Sequence, residues 1–126
     1  MQMFHLDAKH PTPLYHQLER SIKFAIATGK LRIGDQLPTV RQLAVDLRIN
    51  ANTVAKVYSE LERSGVLITR RGVGTFVHER PAEAAFSRRD RDRSLRELAD
   101  HFIAETHTRG FSLAEVIEHL QNRRKK

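Results

Sequence analysis

Thr39 to Gly65 is the stretch that most restricts what this chain can fold into. Val40, Leu43, Ala44 and Leu47 fall at i, i+3, i+4 and i+7, and Val54, Val57, Tyr58 and Leu61 repeat that spacing. Each set lies on one face of a helix. Only Arg48-Ile49-Asn50 separates them, with Ile49 as the single apolar plug. Two helices this short, joined this tightly, cannot pack antiparallel over a useful length, so they cross steeply as a helix-turn-helix. Val54, Val57, Tyr58 and Leu61 are assigned to the core. The opposite face of the second helix carries Asn52, Thr53, Lys56 and Ser59, donors and acceptors of the kind that meet base edges and phosphates. A helical hairpin with a solvated polar face has the same pattern, and the flanking sequence decides between the two.

On the N-terminal side, residues 1–12 read as a short arm. Thr12-Pro13 is a helix start, with Thr12 as cap and Pro13 at the first helical position. Leu14, Leu18, Ile22, Ala25 and Ile26 share one face of that helix, and Gly29 ends it. Leu31, Ile33 and Leu37 alternate with polar residues in a short extended run laid against the helix. Thr39 and Gln42 form a capping box, and Asn50 caps the next helix. On the C-terminal side, Val66 to Thr69 and Val73 to Val77 are β-prone runs around a turn with two glycines, a hairpin signal whose tip carries Arg70 and Arg71. Three helices followed by a basic hairpin make a winged helix. The second motif helix enters the major groove, and the hairpin, or wing, reaches flanking phosphates or the minor groove. A hairpin that merely closes a core does not account for two arginines beside two glycines.

The charge agrees with this placement. The net charge of +7 favours an anionic partner, nucleic acid before a membrane surface. Residues 1–80 hold 12 Lys+Arg against 7 Asp+Glu, a net of +5, and residues 81–126 hold 10 against 8, a net of +2. The excess therefore travels with the helix-turn-helix. There is no cysteine, which removes disulfides, thiolate catalysis and thiolate zinc sites and fits a reducing cytoplasm. Neither a signal peptide nor a membrane-spanning apolar run is present, so a cytoplasmic location is expected.

Four blocks carry a family resemblance: Leu37 to Ala44, Asn50 to Val54, Leu61 to Leu67 and Arg70 to Val77, preceded by Pro13-Leu14-Tyr15-His16-Gln17-Leu18. In this order and spacing they resemble the GntR family of bacterial transcription regulators over roughly residues 10–78. The family usually has Gly where Arg48 stands and often Pro where Ala51 stands. The resemblance supports a duplex contact for Arg41. Asn52 and Thr53 are expected to face bases, Lys56 a base or phosphate, and Arg70, Arg71 and Gly72 to form the wing contact. Thr39, Asn50 and Ala51, at the two helix starts, complete the candidate interface.

Residues 79–93 read as a charged connector whose Arg/Asp run is a solvated face. Ser94 and Glu97 have capping-box form, so a helix starts there or earlier, near Phe86. Leu95, Leu98, Ala99, Phe102 and Ile103 form its stripe, and Gly110 ends it. Ser112 and Glu115 make a second capping box, stapled by Phe111 on Val116, ahead of a stripe of Leu113, Val116, Ile117 and Leu120. The tail from Arg123 is expected to fray. Two helices of this size are too small to bury a core alone. Leu95, Leu98, Phe102, Leu113, Val116, Ile117 and Leu120 are therefore expected to dimerise, as the resemblance to the short YtrA-like subfamily implies.

The seven histidines include no i, i+4 pair, and the one metal geometry to weigh, His101 with Glu105, is weak. No phosphate loop or nucleophile with a recognisable base is present, so neither enzyme activity nor a cofactor nor a metal is expected. The fold expected is mainly α with a small β-hairpin: a winged helix-turn-helix over 1–80 and a two-helix dimerisation unit over 81–126. The function expected is a homodimeric repressor on a palindromic operator. Its partners are double-stranded DNA and a second copy, with an unidentified small-molecule effector left open. A protein-interaction module and a non-specific nucleic-acid-packaging protein are the rival readings.

Overall fold

The computed structural model describes residues 4–78 and 88–124. Its elements are helices α1 (Leu14–Ala27), α2 (Val40–Leu47) and α3 (Ala51–Arg63), strands β1 (Leu67–Arg70) and β2 (Gly74–Val77), then helices α4 (Arg88–Thr108) and α5 (Leu113–Arg124). The chain divides into two compact units, Met1–Pro81 and Ala82–Lys126.

In the first unit, α1 and α2 both pack on α3. Leu18, Ile22, Leu43, Val54, Val57, Leu61 and Leu67 are fully buried. Each contributes about 1.5–3 kcal/mol relative to an exposed side chain. Helix α2 begins with the expected capping box: Thr39 Oγ1 accepts from Gln42 N at 3.0 Å, and Gln42 Oε1 accepts from Thr39 N at 2.9 Å. Asn50 Oδ1 accepts from Asn52 N at 2.7 Å and starts α3. The crossing of α2 and α3 has a polar tie as well, because the buried Tyr58 hydroxyl donates to Pro38 O at 2.7 Å.

The hairpin is antiparallel, pairing Leu67 with Val77 and Arg70 with Gly74. Val73 N donates to Arg70 O at 2.9 Å, closing a turn in which Gly72 has φ 77°. A positive φ at the third turn position suits glycine. Residues before α2 extend the hairpin: Val77 N donates to Asp35 O and Leu37 N to Thr75 O, both at 2.8 Å.

Several local readings are corrected. Thr12 does not cap α1; Pro13 holds the cap position and no side chain caps there. The Gln17 amide instead donates to Thr12 O at 2.7 Å and to Asp7 O at 2.9 Å, and accepts from Asp7 N at 2.8 Å. The arm is consequently part of the domain, with Phe4 buried in the core. Leu31 and Leu37 are buried, but Ile33 is 58% exposed. Its neighbours Arg32 to Asp35 form a turn, held by Asp35 N on Arg32 O, which carries Ile33 away from the core.

In the second unit α4 starts at Arg88, so Ser94 lies inside the helix and the Ser94–Glu97 capping box does not form. The Arg/Asp run is helical, not connector, and Arg93 pairs with Asp90 at 3.2 Å. Opposite charges three apart stabilise a helix face, which lets α4 extend past an available cap. Helix α4 ends at Thr108, and Gly110 in the turn that follows takes φ 93°. At the start of α5 the expected capping box is present: Glu115 N donates to Ser112 Oγ at 3.1 Å and Ser112 N to Glu115 Oε1 at 2.9 Å. The bond from the Ser112 backbone, then that from its side chain, holds the Glu115 carboxyl below the usual carboxylate range. Arg123 and Arg124 belong to α5 and are not a frayed tail. Residues 79–87, including Pro81 and Phe86, and Lys125-Lys126 lie outside the described residues.

Candidate nucleic-acid interface

Helix α3 separates its two faces by burial. Val54, Val57, Tyr58 and Leu61 are buried, whereas Asn52, Lys56, Ser59 and Arg63 are exposed on the opposite side. Ala51 is exposed and Thr53 half-buried, so Thr53 stands at the edge of the polar face and not at its crest. Asn52, Lys56, Ser59 and Arg63 line a shallow groove with Tyr15, Ala55 and Glu60. Arg63 was missed by the sequence reading. Its spacing from Asn52 through Lys56 and Ser59, at four, seven and eleven residues, was the available signal. Arg63 is paired to Glu60, whose hydrogen bond favours the charged guanidinium.

Thr39 and Asn50 are exposed at the two helix starts, and each uses an oxygen as a cap acceptor. What they retain for an external partner is the hydroxyl proton and the amide N–H groups. Arg41, the second residue of α2, is exposed. Arg48 ends α2 in the left-handed conformation, φ 58° and ψ 46°, the only non-glycine residue with positive φ among those described. The usual family glycine would adopt it without steric cost. Here the chain places an exposed guanidinium at the turn between the motif helices.

At the wing, Arg70, Arg71 and Gly72 are exposed. The Arg70 guanidinium sits over the Phe76 ring, 5.6 Å from its centre. Arg71 occupies the turn beside Gly72, where bare backbone can approach a phosphate closely. Four cationic positions on the helix-turn-helix, Arg41, Arg48, Lys56 and Arg63, and two on the wing, Arg70 and Arg71, thus belong to one domain. Among the described residues, no group of acidic, histidine or cysteine side chains could hold a metal ion. Among the described residues, no helix is long and apolar enough to cross a membrane either.

The residues named for dimerisation occupy the second unit. Leu95 is 68% exposed and Leu98 67%, and Phe102, Leu113, Ile117 and Leu120 are about half exposed; Val116 alone is buried, at 9%. Phe102, Phe111, Val116 and Leu120 line a groove of about 410 Å³ together with Thr106, Glu115 and His119.

A recognition helix buried on one side and polar on the other, beside a basic wing, defines the winged-helix class of sequence-specific DNA-binding transcription regulators. Residues 14–77 match the family model described as bacterial regulatory proteins, gntR family. Over 119 residues the chain is 33% identical to the HTH-type transcriptional repressor YtrA of Bacillus subtilis, covering 94% of this chain and 90% of that one. It is similar in structure to a transcriptional antiterminator from Listeria monocytogenes, with TM-score 0.70 and 29% identity over 96% of this chain and 89% of that one. It is also similar to the DNA-binding domain of AraR in complex with operator ORX1, with TM-score 0.55 and 26% identity over 61% of this chain and 99% of that one. The chain belongs to the GntR family, whose members are regulators and not enzymes, and it is of the short YtrA-like type.

Proposed function

We propose that this chain is a homodimeric, cytoplasmic repressor that binds a palindromic operator, with residues 1–80 reading DNA and residues 81–126 dimerising. The division of α3 carries the reading: Val54, Val57, Tyr58 and Leu61 hold the helix in the core, which leaves Asn52 and Lys56 free for a major groove. In this reading Asn52 and Thr53 meet base edges, helped at the helix start by Asn50 and Ala51. Lys56 takes a base or phosphate. Arg41 grips a guanine, with Thr39 beside it, and Arg70, Arg71 and Gly72 engage the backbone or minor groove. Repression is supported by the name of the Bacillus relative, and an operator by the AraR complex. Dimerisation is supported by the apolar side chains that the second unit leaves in solvent: Leu95, Leu98, Phe102, Leu113, Ile117 and Leu120, around Val116.

Enrichment of a randomised 30-base-pair duplex pool on the purified protein tests this. The expected product is a two-fold symmetric motif, bound by ~10³ or more over random duplex. Enrichment of no motif, with equal affinity for every duplex, would identify a packaging protein instead. No DNA binding at all would point to a protein-interaction module.

A further inference from the structure

Gln36 lies in no helix or strand, yet it touches the wing at two places. Its backbone forms an isolated antiparallel bridge with Phe76, the residue whose ring carries the Arg70 guanidinium. Its side chain reaches over the turn, and Nε2 donates to Val73 O at 3.0 Å, across 37 residues of sequence. Gly74 lies beneath that amide: a Cβ at this position would collide with the Gln36 side chain, and the φ of 145° is one that other residues rarely adopt. A glycine at the end of the turn thus leaves room for a brace.

We propose that Gln36 is a positioning residue for the wing. By holding the Val73 carbonyl and pairing beside Phe76, it fixes the tip residues Arg71 and Gly72 and the ring under Arg70. Cations and backbone N–H groups that are ordered in advance lose less freedom on meeting a phosphate. The same segment anchors the reading helices: Pro38 O receives the Tyr58 hydroxyl of α3, and Thr39 caps α2. Residues 36–39 therefore connect the wing, the cap of α2 and the recognition helix in one short run of backbone. The inference rests on the proposed role of the wing in DNA binding.

The test is a mutant cycle in the full chain. Gln36→Ala and Gln36→Met, the latter of similar length but without an N–H donor, are made in the wild-type background and in Arg70→Ala/Arg71→Ala. Affinity is measured on the 30-base-pair duplex enriched by the wild type and on a mixed-sequence duplex. In the wild-type background both substitutions weaken binding about three- to tenfold, as expected for a coupled neighbour, and in the arginine-free background, where only the backbone N–H groups of the tip remain to be ordered, their effect is clearly smaller. Equal losses in both backgrounds, or no loss in either, would overturn the proposal. Amide relaxation of the free protein gives a readout that needs no DNA. Gln36→Met should increase fast motion at Arg71–Val73 and leave the helices unchanged, and unchanged order at the tip would also overturn it. Failure of the wild type to enrich a motif would count against the proposed function, while this relaxation measurement would still judge Gln36.

Discussion

Arg41 stands in solvent in the first turn of α2, whose cap is satisfied by Thr39 and Gln42. A guanidinium can hold guanine O6 and N7 with two parallel bonds, and an ammonium cannot reproduce the fork. Arg41→Lys is expected to cost ~1–3 kcal/mol on the enriched duplex and far less on random duplex. Equal losses on the two would assign Arg41 to phosphate. Arg48 has a different signature, because its backbone is left-handed. That conformation costs a non-glycine residue about 1–2 kcal/mol. Arg48→Gly should therefore raise stability to urea by about 1 kcal/mol and, if the guanidinium meets a phosphate, weaken DNA binding at the same time. A destabilised Arg48→Gly would contradict the backbone argument. The caps of α2 and α3 were legible because Thr39, Gln42 and Asn50 stand at capping distances from an apolar stripe. Thr12 misled because Pro13 takes the cap position and Gln17, five residues on, binds the arm by contacts that no short-range pattern encodes.

Among the elements, the wing and the recognition helix differ in what would disable them. Arg70 and Arg71 sit on an exposed tip, so they are expected to act chiefly by neutralising phosphates. Replacing both with Ala should flatten the plot of log affinity against log salt by about 1.8 per bound chain, since each phosphate contact contributes roughly 0.9. An unchanged slope with lost affinity would make the wing a reader of bases or shape. Helix α3 is set by Tyr58, whose hydroxyl bonds Pro38 O and whose burial pushes its ionisation well above the ordinary tyrosine range. Tyr58→Phe should cost about 1 kcal/mol at neutral pH through the lost bond. The sign with pH follows from the raised folded-state value. Below about pH 10 the phenol is protonated folded and unfolded, and its contribution is constant. Above that pH only the unfolded chain releases the proton, so stability falls. Urea titrations from pH 7 to 11 should show a shallower alkaline loss for Tyr58→Phe than for wild type, and identical slopes would contradict the burial argument. The stripes and turn glycines made α1 to α3 and the hairpin legible. The sequence brackets the start of α4 between Ser94 and a point near Phe86, and the helix begins at Arg88, close to the earlier of the two, because helix-stabilising charges such as Asp90 and Arg93 prevail over the Ser94–Glu97 signature. Arg63 escaped notice because the polar face was read only as far as Ser59, and Gln36 because its partner Val73 lies in a distant part of the sequence.

For the molecule as a whole, the central claim is that two copies, joined through α4 and α5, read two half-sites. The apolar residues of that unit were legible from periodicity, and their exposure in the single chain is what a partner copy would relieve. An Asp at Phe102, on the wall of the α4–α5 groove, would bury an unpaired carboxylate in that interface at a cost of several kcal/mol. Phe102→Asp should therefore be monomeric by light scattering with its winged helix intact. The most direct measurement titrates wild type and Phe102→Asp against the enriched duplex and against one half-site of it, with stoichiometry read in the same experiment. The account predicts two wild-type chains per duplex, with the palindrome strongly preferred over the half-site, and a variant that binds the two nearly alike. A wild type that is monomeric at micromolar concentration, or a Phe102→Asp chain that remains dimeric and keeps the full preference, would contradict it.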